Sequence, residues 1–266
     1  MVKIIDANSK KIKNKSDKKN SSKKNKKKSA KNIKKKGSKK VSEKIRTGIM
    51  GLDKLLFGGL PKGNIISLSG TSGSGKTIFS LQYLCYGAKD YDEPGVFISL
   101  EEEPQRLIKT CNDFGWDAEK LINENKLIII KTPLYKFNVL KDIIRENVSR
   151  INAKRLVIDP GAMIELFFER PIETRKAVVE LGLMLKKMNC TCIVTNEENK
   201  FVPNKTDYSS DGIIYLFYTK VMNQFMRMLA VVKMRNTKHS EKIHPLRFTQ
   251  KGLEVMSDEE VFQDIK

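Results

Sequence analysis

Gly70-Thr71-Ser72-Gly73-Ser74-Gly75-Lys76-Thr77 is the stretch of sequence that decides the fold of this chain. It follows a short apolar run at residues 65–69 and opens an apolar-periodic run that begins at Ile78. The fixed residues have the spacing of a phosphate-binding loop, G-x-x-x-x-G-K-[ST], in the strand–loop–helix context that such a loop requires. The chain is therefore predicted to contain a P-loop NTPase domain.

The residue types of this loop suit the binding of phosphate. Glycines let backbone N–H groups curve around a phosphate without a Cβ in the way, and the helix that follows adds the positive end of its dipole. Lys76 is predicted to reach the β- and γ-phosphates, and the Thr77 hydroxyl to hold Mg²⁺. All eight residues are predicted to bind nucleotide: Gly70, Thr71, Ser72, Gly73, Ser74, Gly75, Lys76 and Thr77.

Acidic residues close two further predicted strands. Glu101, Glu102 and Glu103 follow the buried strand at residues 96–100, and strand ends face the ligand crevice of a doubly wound sheet. A glutamate there can orient and deprotonate the water that attacks a γ-phosphate. The alternative is that these acidic side chains only stabilise the next helix, because negative charge is favourable in the first turn. Both can hold, with Glu101 or Glu102 in the chemistry and Glu103 in the helix. Asp159 closes the apolar run at residues 156–158, in the predicted strand that begins at Arg155, and is predicted to bind Mg²⁺, directly or through water.

Strands and helices alternate from residue 65 to residue 196, and three further strands at 212–216, 229–232 and 246–248 read as an antiparallel extension. This order predicts an α/β fold with a mostly parallel, doubly wound sheet and C-terminal antiparallel hairpins. The predicted strand at 191–196 carries polar groups at its exit, where they are placed to sense a nucleotide.

The positive charge of the chain is concentrated at its N-terminus. The first 44 residues hold 19 lysines, no arginine and three acidic residues, so they carry most of the formal charge of +20. With almost no apolar residues they are predicted to be disordered, either as an arm that binds nucleic acid non-specifically through phosphate contacts or as a solvated tail without a partner. Residues 45–256 are predicted to form the domain and residues 257–266 a C-terminal tail.

The cysteines and the distribution of apolar residues limit the kinds of protein that this chain can be. Four cysteines lack C-x-x-C spacing and are interpreted as core thiols rather than redox groups. The sequence contains no run of 18 apolar residues, so no membrane span is predicted. It also has no apolar segment near its N-terminus of the kind found in secretory signals. We expect a cytoplasmic protein that does not interact with membranes.

The motifs together resemble the KaiC-like branch of the RecA-type ATPases, in a single-domain form that is common in archaea. The resemblance covers residues 45–256, and beyond the phosphate loop it is carried by five further pieces: Thr47-Gly48 to Asp53 with Gly58-Gly59-Leu60-Pro61, Leu100-Glu101-Glu102-Glu103-Pro104-Gln105, Phe114-Gly115-Trp116, Ile158-Asp159, and Lys233-Met234-Arg235-Asn236-Thr237-Lys238-His239.

The resemblance implies an ATP- and Mg²⁺-dependent ring, a hexamer, with a RecA-like core. Glu101 and Glu102 would act on the attacking water. A set of residues from the neighbouring subunit would complete the ATP pocket, with the lysine and arginine touching the γ-phosphate: Lys233, Arg235, Thr237 and His239. The alternative for Lys233 and Arg235 is an ordinary strand whose alternate residues face solvent.

Some positions depart from the family pattern. Pro160 and Gly161 stand where relatives usually carry a serine and a small polar residue, Asn236 replaces the usual glycine, and Glu241 replaces a second lysine. The chain has one such domain, whereas the clock protein KaiC has two in tandem, so no clock role is expected.

Three functions follow from these features. The leading one is an ATP-hydrolysing ring that acts as a regulatory or mechanical switch, with an unknown protein partner. The alternatives are an ATP-dependent DNA-binding protein of the recombinase class, which would use the polar loop at 197–210, and a scaffold that binds ATP to assemble without hydrolysing it.

Overall fold

The computed structural model describes residues 43–133, 136–198, 209–221 and 223–261. The predicted basic tail lies outside these residues except for its last two positions. Most of the polar loop on which the DNA-binding alternative depends, residues 199–208, also lies outside them. Within the described ranges, no helix is both long and apolar enough to cross a lipid bilayer.

The described chain alternates between strands and helices, as predicted. In chain order the elements are β1 Lys44–Ile45, α1 Leu52–Leu55, β2 Leu60–Pro61, β3 Ile65–Gly70, α2 Lys76–Asp90, β4 Gly95–Ser99, α3 Pro104–Asp113, α4 Ala118–Asn123, β5 Leu127–Lys131, α5 Phe137–Arg150, β6 Arg155–Asp159, a 3-10 helix Gly161–Phe167, α6 Pro171–Lys187, β7 Thr191–Glu197, β8 Gly212–Val221, β9 Gln224–Met234, β10 Ile243–Thr249 and β11 Gly252–Val255.

A nine-stranded mixed sheet forms the centre of the domain. Its strand order is β11-β10-β9-β8-β3-β7-β6-β4-β5. The six strands from β8 to β5 are mutually parallel, and β9, β10 and β11 are antiparallel additions. The predicted α/β class is confirmed. The prediction that residues 212–216 belong to the antiparallel extension is wrong in part, because β8 pairs in parallel with β3 and only its other edge meets antiparallel β9.

Helices cover both faces of the parallel strands, and the side chains of each strand alternate between the two layers. On β4, Phe97 packs in the core with α2, α3 and α4, while Val96 and Ile98 pack in the core with α5 and α6. This period of two on doubly buried strands explains why each strand reads as a continuous apolar run. The parallel strands consequently end together along one edge of the sheet, and the acidic residues that close them lie at that edge.

The sequence did not predict the shortest elements. Strands β1 and β2 form a separate two-residue ladder. At the edge of the large sheet, β11 adds a third antiparallel pairing, with β10. Beyond β11, the Val261 amide donates to the Ile243 carbonyl at 2.9 Å. The predicted boundary between domain and tail at residue 256 stays a prediction, although the chain runs beside β10 for a few residues past it.

The four cysteines are buried and free, as predicted for core thiols. Burial raises the pKa of the Cys190 thiol to about 12, so this thiol carries no charge near neutral pH. Cys85 and Cys111 lie in contact between α2 and α3, with their sulfur atoms 3.7 Å apart.

A fully buried arginine joins the N-terminal segment to the sheet. Arg155 donates from Nε to the Glu93 carboxylate at 2.8 Å, from Nη1 to the Tyr83 carbonyl at 2.6 Å and from Nη2 to the Arg46 carbonyl at 2.7 Å. Its guanidinium also lies 4.6 Å from the centre of the Tyr83 ring. A Cβ on Gly87 would come within 2.3 Å of Arg155 Nε, so the helix can pass this group only at a glycine.

Removing this buried charge should destabilise the domain. We expect Arg155→Leu to lower the free energy of unfolding by about 3 kcal/mol, because Glu93 and two carbonyls lose their partner. Urea denaturation at a fixed protein concentration measures the change. Arg145→Leu is the control, since Arg145 forms an exposed ion pair with Asp142 and should cost less than about 1 kcal/mol. Equal losses in the two variants would contradict this prediction.

Candidate functional site

The glycine-rich loop connects β3 to α2 and forms a cradle at the strand ends. Gly75 immediately precedes α2 at a φ of +104°, in a region that L-residues avoid, and the helix begins at Lys76. The Thr71 and Ser74 hydroxyl oxygens are buried without a hydrogen-bond partner. Unpartnered hydroxyls and a helix N-terminus at one loop fit an anion with several acceptor oxygens, which is the property of a phosphate.

Lys76 lies folded over the loop that it follows. Its ammonium donates to the Gly70 and Thr71 carbonyls, each at 2.9 Å. Burial lowers the pKa of Lys76, and the nearby carboxylates of Glu197 and Asp159 oppose that shift. The lysine is therefore a partly desolvated charge that is held at the cradle by exchangeable carbonyl contacts.

The two predicted metal ligands are in direct contact. The Thr77 hydroxyl donates to Asp159 Oδ2 at 2.9 Å, and the Thr195 hydroxyl donates to Asp159 Oδ1. Burial raises the pKa of the Asp159 carboxyl, against the two hydroxyl donors and the Lys76 charge, which lower it. Among the described residues no three His, Cys, Asp or Glu side chains form a metal-binding group. Mg²⁺ fits this site with few protein ligands, because it usually keeps water and phosphate oxygens.

The predicted water-activating glutamates lie on the same cleft. Glu101 and Glu102 are exposed at the end of β4, and the Ser99 hydroxyl fixes the turn by donating to the Glu102 carbonyl at 2.6 Å. Glu103 instead pairs with Lys131 at 2.6 Å. The cleft has a volume of about 370 Å³, and its walls are Ser72, Gly73, Gly75, Lys76, Thr77, Ile78, Ser99, Glu101, Glu102, Asp159, Pro160, Glu197 and Phe248.

Sequence reasoning did not single out Glu197, although it noted the polar exit of β7. Glu197 is the last residue of β7, lines the cleft and raises the pKa of Lys76 by its charge. Just before it, Asn196 is buried and donates to the Ser67 hydroxyl at 2.7 Å, which ties β7 to β3. The available signal for Glu197 was its position directly after Thr195 and Asn196, the polar residues at the exit of this strand.

Arg227 stacks between two aromatic rings beside the phosphate loop, and the sequence did not predict this contact. The Arg227 guanidinium lies 4.0 Å from the centre of the Tyr218 ring and 4.8 Å from that of Phe248, and its Nε donates to the Gly73 carbonyl at 3.1 Å. A Cβ on Gly75 would come within 3.2 Å of the Phe248 ring. These residues come from β8, β9 and β10, and no local pattern connects them.

The residues assigned by resemblance to a neighbouring subunit's pocket do not line this cleft. Lys233 is opposite Ile213 at the start of β8, whereas the loop end of β3, Gly70, is opposite Leu216. Lys233 and Arg235 therefore lie toward the other end of the sheet, roughly 10 Å or more from the loop edge measured along the strands. Two of them have partners within their own chain, since the Lys233 ammonium donates to the Ser210 carbonyl at 2.6 Å and Arg235 pairs with Asp211 at 3.4 Å.

Thr237 and His239 follow in the same segment. The Thr237 hydroxyl donates to the Lys238 carbonyl at 3.2 Å, and His239 Nδ1 lies 2.8 Å from the Ser240 carbonyl. Asn236, which replaces the usual glycine, has a φ of +62°. Asparagine tolerates this left-handed conformation better than most residues, so the turn keeps a shape that glycine would allow.

Gly161 explains one departure from the family pattern. A Cβ at this position would lie 1.9 Å from Val194 Cγ1, so no side chain fits here. Pro160, which stands where relatives usually carry a serine, offers no hydroxyl to Asp159, and Thr195 on β7 donates to that carboxylate.

The chain is similar in sequence and in fold to known proteins. The family model described as "ATPase: KaiC" matches residues 45–260. A UPF0273 protein of Methanocaldococcus jannaschii is 35% identical over 237 residues, which are 81% of this chain and 97% of that protein. The crystal structure of a KaiC-like protein of Pyrococcus horikoshii is 34% identical, with a TM-score of 0.73, and the match covers 80% of this chain and 99% of that one. The circadian clock oscillator protein KaiC of a Nostoc species is 32% identical over 80% of this chain but only 44% of its own length.

Thr195 offers a test of the metal site. Thr195→Val keeps the shape of the side chain but removes the hydroxyl that holds Asp159, and we expect Mg²⁺ to bind about tenfold more weakly in the presence of a non-hydrolysable ATP analogue. Calorimetric titration of Mg²⁺ measures this affinity. Thr195→Ser keeps the hydroxyl and should stay close to the wild type, and an unchanged affinity in Thr195→Val would contradict the prediction.

Proposed function

Because the chain belongs to the KaiC family of P-loop ATPase domains, we propose that it binds ATP with Mg²⁺ in the cleft at the strand ends and hydrolyses the ATP. One observation carries the proposal. The phosphate loop after β3, the glutamates after β4 and the carboxylate that ends β6 all line the same cleft. This combination of a cradle, a metal ligand and a carboxylate base is what attack of water on a γ-phosphate requires.

The loop would hold the triphosphate, and each contact has a physical basis. The Thr71 and Ser74 hydroxyls lack partners and would donate to phosphate oxygens. Lys76 would exchange the Gly70 and Thr71 carbonyls for the β- and γ-phosphates, because an anionic oxygen is a stronger acceptor than a carbonyl. Thr77 and Asp159 would hold Mg²⁺, which supplies charge neutralisation at the phosphates when it is bound.

The stacked group beside the loop would receive the adenine base. Tyr218, Arg227 and Phe248 form a planar and partly apolar surface next to Gly73 and Gly75. Aromatic rings and guanidinium planes are the groups on which bases stack. Phe248 also lines the cleft that contains Lys76, Thr77 and Asp159, so a base stacked on this group would lie beside the phosphate site.

Glu101 or Glu102 would act as the general base. Both are exposed on the cleft and neither is committed to an ion pair among the described residues, whereas Glu103 is paired with Lys131. A carboxylate that is free to approach water can orient it and accept its proton. The product would be ADP and phosphate, formed without a covalent enzyme intermediate.

The site would be completed in a ring of identical subunits. Lys233 and Arg235 lie far from the phosphate loop of their own chain, so they would reach a γ-phosphate only in a neighbouring copy. An arginine supplied in this way stabilises charge on the transferred phosphoryl group. We propose a hexameric ring in which the ATP state acts as a regulatory or mechanical switch.

The rate of ATP hydrolysis in variants of the loop lysine and of the two glutamates tests the proposed reaction. Lys76→Ala should abolish both ATP binding and ATP hydrolysis. Glu101→Gln combined with Glu102→Gln should lower kcat about 100-fold or more while ATP still binds, because only proton transfer is lost. Steady-state phosphate release and ATP-analogue titration give the two quantities.

Glu103→Gln is the matched control, and it should leave kcat near that of the wild type. Negligible turnover in the wild type would indicate an ATP-dependent scaffold rather than an ATPase. Equal turnover in the wild type and the double glutamine variant would contradict the role of Glu101 or Glu102 as the general base.

Mixing two inactive variants tests the shared site. Lys76→Ala and Arg235→Ala rings should each be inactive, whereas rings assembled from an equal mixture should regain about a quarter of wild-type turnover, because a heterologous interface then pairs an intact loop with an intact arginine. Light scattering with ATP and Mg²⁺ measures assembly in the same samples. Mixed rings that stay inactive would contradict the proposal that Arg235 acts in the ATP site of a neighbouring subunit.

A further inference from the structure

Helix α6 presents an apolar row to solvent on the face opposite the core. Thr174, Ala177, Val178, Leu181 and Leu185 form its buried side. On the outer side, Ile172 is 55% exposed, Val179 48% and Leu183 60%.

The outer residues follow a helical spacing rather than occurring singly. Ile172, Val179 and Leu183 stand at i, i+7 and i+11, which places them on one stripe of the helix surface. Lys176 occupies the remaining position of that stripe, between Arg175 and Glu180, which line the same surface. Glu180 lies on the flank toward α5, where it pairs with Lys141. A row of exposed apolar side chains that is bordered by charges is typical of an interaction surface.

We propose that this face of α6 pairs with α6 of a second copy of the chain, in antiparallel orientation about a twofold axis. With the axis near the middle of the helix, Ile172 faces the second copy's Leu183, and Leu183 faces the second copy's Ile172. Lys176 then lies against the second copy's Val179 and next to the second copy's Glu180. The stripe is therefore complementary to itself in both shape and charge, which a twofold contact requires.

The charges select this orientation. In a parallel pair each residue faces its own equivalent, so Lys176 would meet the second copy's Lys176 in the middle of the contact. The antiparallel pair replaces this repulsion with two Lys176–Glu180 contacts. Glu180 also pairs with Lys141 at 2.5 Å, yet its side chain is 62% exposed and can accept from both lysines.

The contact would be weak and separate from the ring. One helix pair buries less area than a stable interface, so we expect a concentration-dependent dimer rather than a permanent one. A ring interface is heterologous, because one surface of a subunit meets a different surface of the next, whereas the α6 contact joins identical surfaces. The pairing would therefore link subunits of different rings, or link free subunits when no nucleotide is bound.

Sedimentation velocity of the full chain without nucleotide and with EDTA tests the proposal. The wild type should form a dimer as its concentration rises, and Val179→Glu or Leu183→Glu should weaken the dimer at least tenfold. Met50→Glu is the matched control, since Met50 is 66% exposed and lies outside α6. Lys176→Glu should also weaken the dimer, and the exchange Lys176→Glu with Glu180→Lys should restore it.

Two results of that experiment would overturn the proposal. One is a wild type that stays monomeric at about 0.5 mM, a concentration at which even a very weak dimer forms. The other is a Val179→Glu variant that loses the ATP-dependent ring while its behaviour without nucleotide is unchanged, because α6 would then belong to the ring interface.

Engineered cysteines test the orientation directly. Under mild oxidation, a mixture of Ile172→Cys and Leu183→Cys chains, one of them carrying a mass tag, should give the mixed disulfide-linked dimer. Each variant alone should give little dimer. Efficient linking of Ile172→Cys to itself would show a parallel pair and overturn the proposal, and the native cysteines are buried and should contribute little background.

Discussion

The hydrogen bond from Thr77 to Asp159 is the interaction on which the site depends. Thr77 is the second residue of α2, the helix after β3, and Asp159 ends β6. In the sheet, β7 lies between β3 and β6. The bond spans that gap only because parallel strands end together along one edge. It fixes the loop, the carboxylate and, through Thr195 on β7, the intervening strand in one arrangement. The parallel sheet is therefore the condition for the site, and the loop motif alone is not sufficient.

The same arrangement explains how a buried carboxylate is tolerated. Burial disfavours the ionised form of Asp159, and two hydroxyl donors and the Lys76 ammonium favour it. The Thr71 and Ser74 hydroxyls, by contrast, remain buried without partners, at a cost in free energy that a bound phosphate would relieve. The polar groups around the carboxylate are satisfied within the protein, and those of the cradle are left for a ligand. Such a division is expected of a site that is preorganised for binding.

The sequence predicted those parts of the fold and site that depend on local patterns. Apolar runs closed by Glu101 and Asp159 gave the parallel strands and the residues at their ends, because strand ends of one sheet converge by geometry. The stack of Arg227 on Tyr218 and Phe248 could not be predicted, since it joins three strands whose pairing depends on tertiary register. Arg155 was equally hidden, because a single arginine at the start of an apolar run has no local sign of being buried. The two-residue strands β1 and β2 are too short to form a periodic pattern.

One strand connects the internal half of the proposed site with the half that a neighbour would supply. Arg227 and Lys233 both belong to β9, six positions apart, which corresponds to about 20 Å of extended strand. At one end, Arg227 contacts the phosphate loop of its own chain through the Gly73 carbonyl. Toward the other end, Lys233 and, just past the strand, Arg235 are held by Ser210 and Asp211, which directly precede β8. Among the described residues, β9 pairs with both β8 and β10 from Arg227 to Ala230, whereas at Lys233 it pairs with β8 alone, next to a register shift at Ile213. The half of the strand beside the phosphate loop is therefore held on both edges, and the half that a neighbouring subunit would meet is held on one edge.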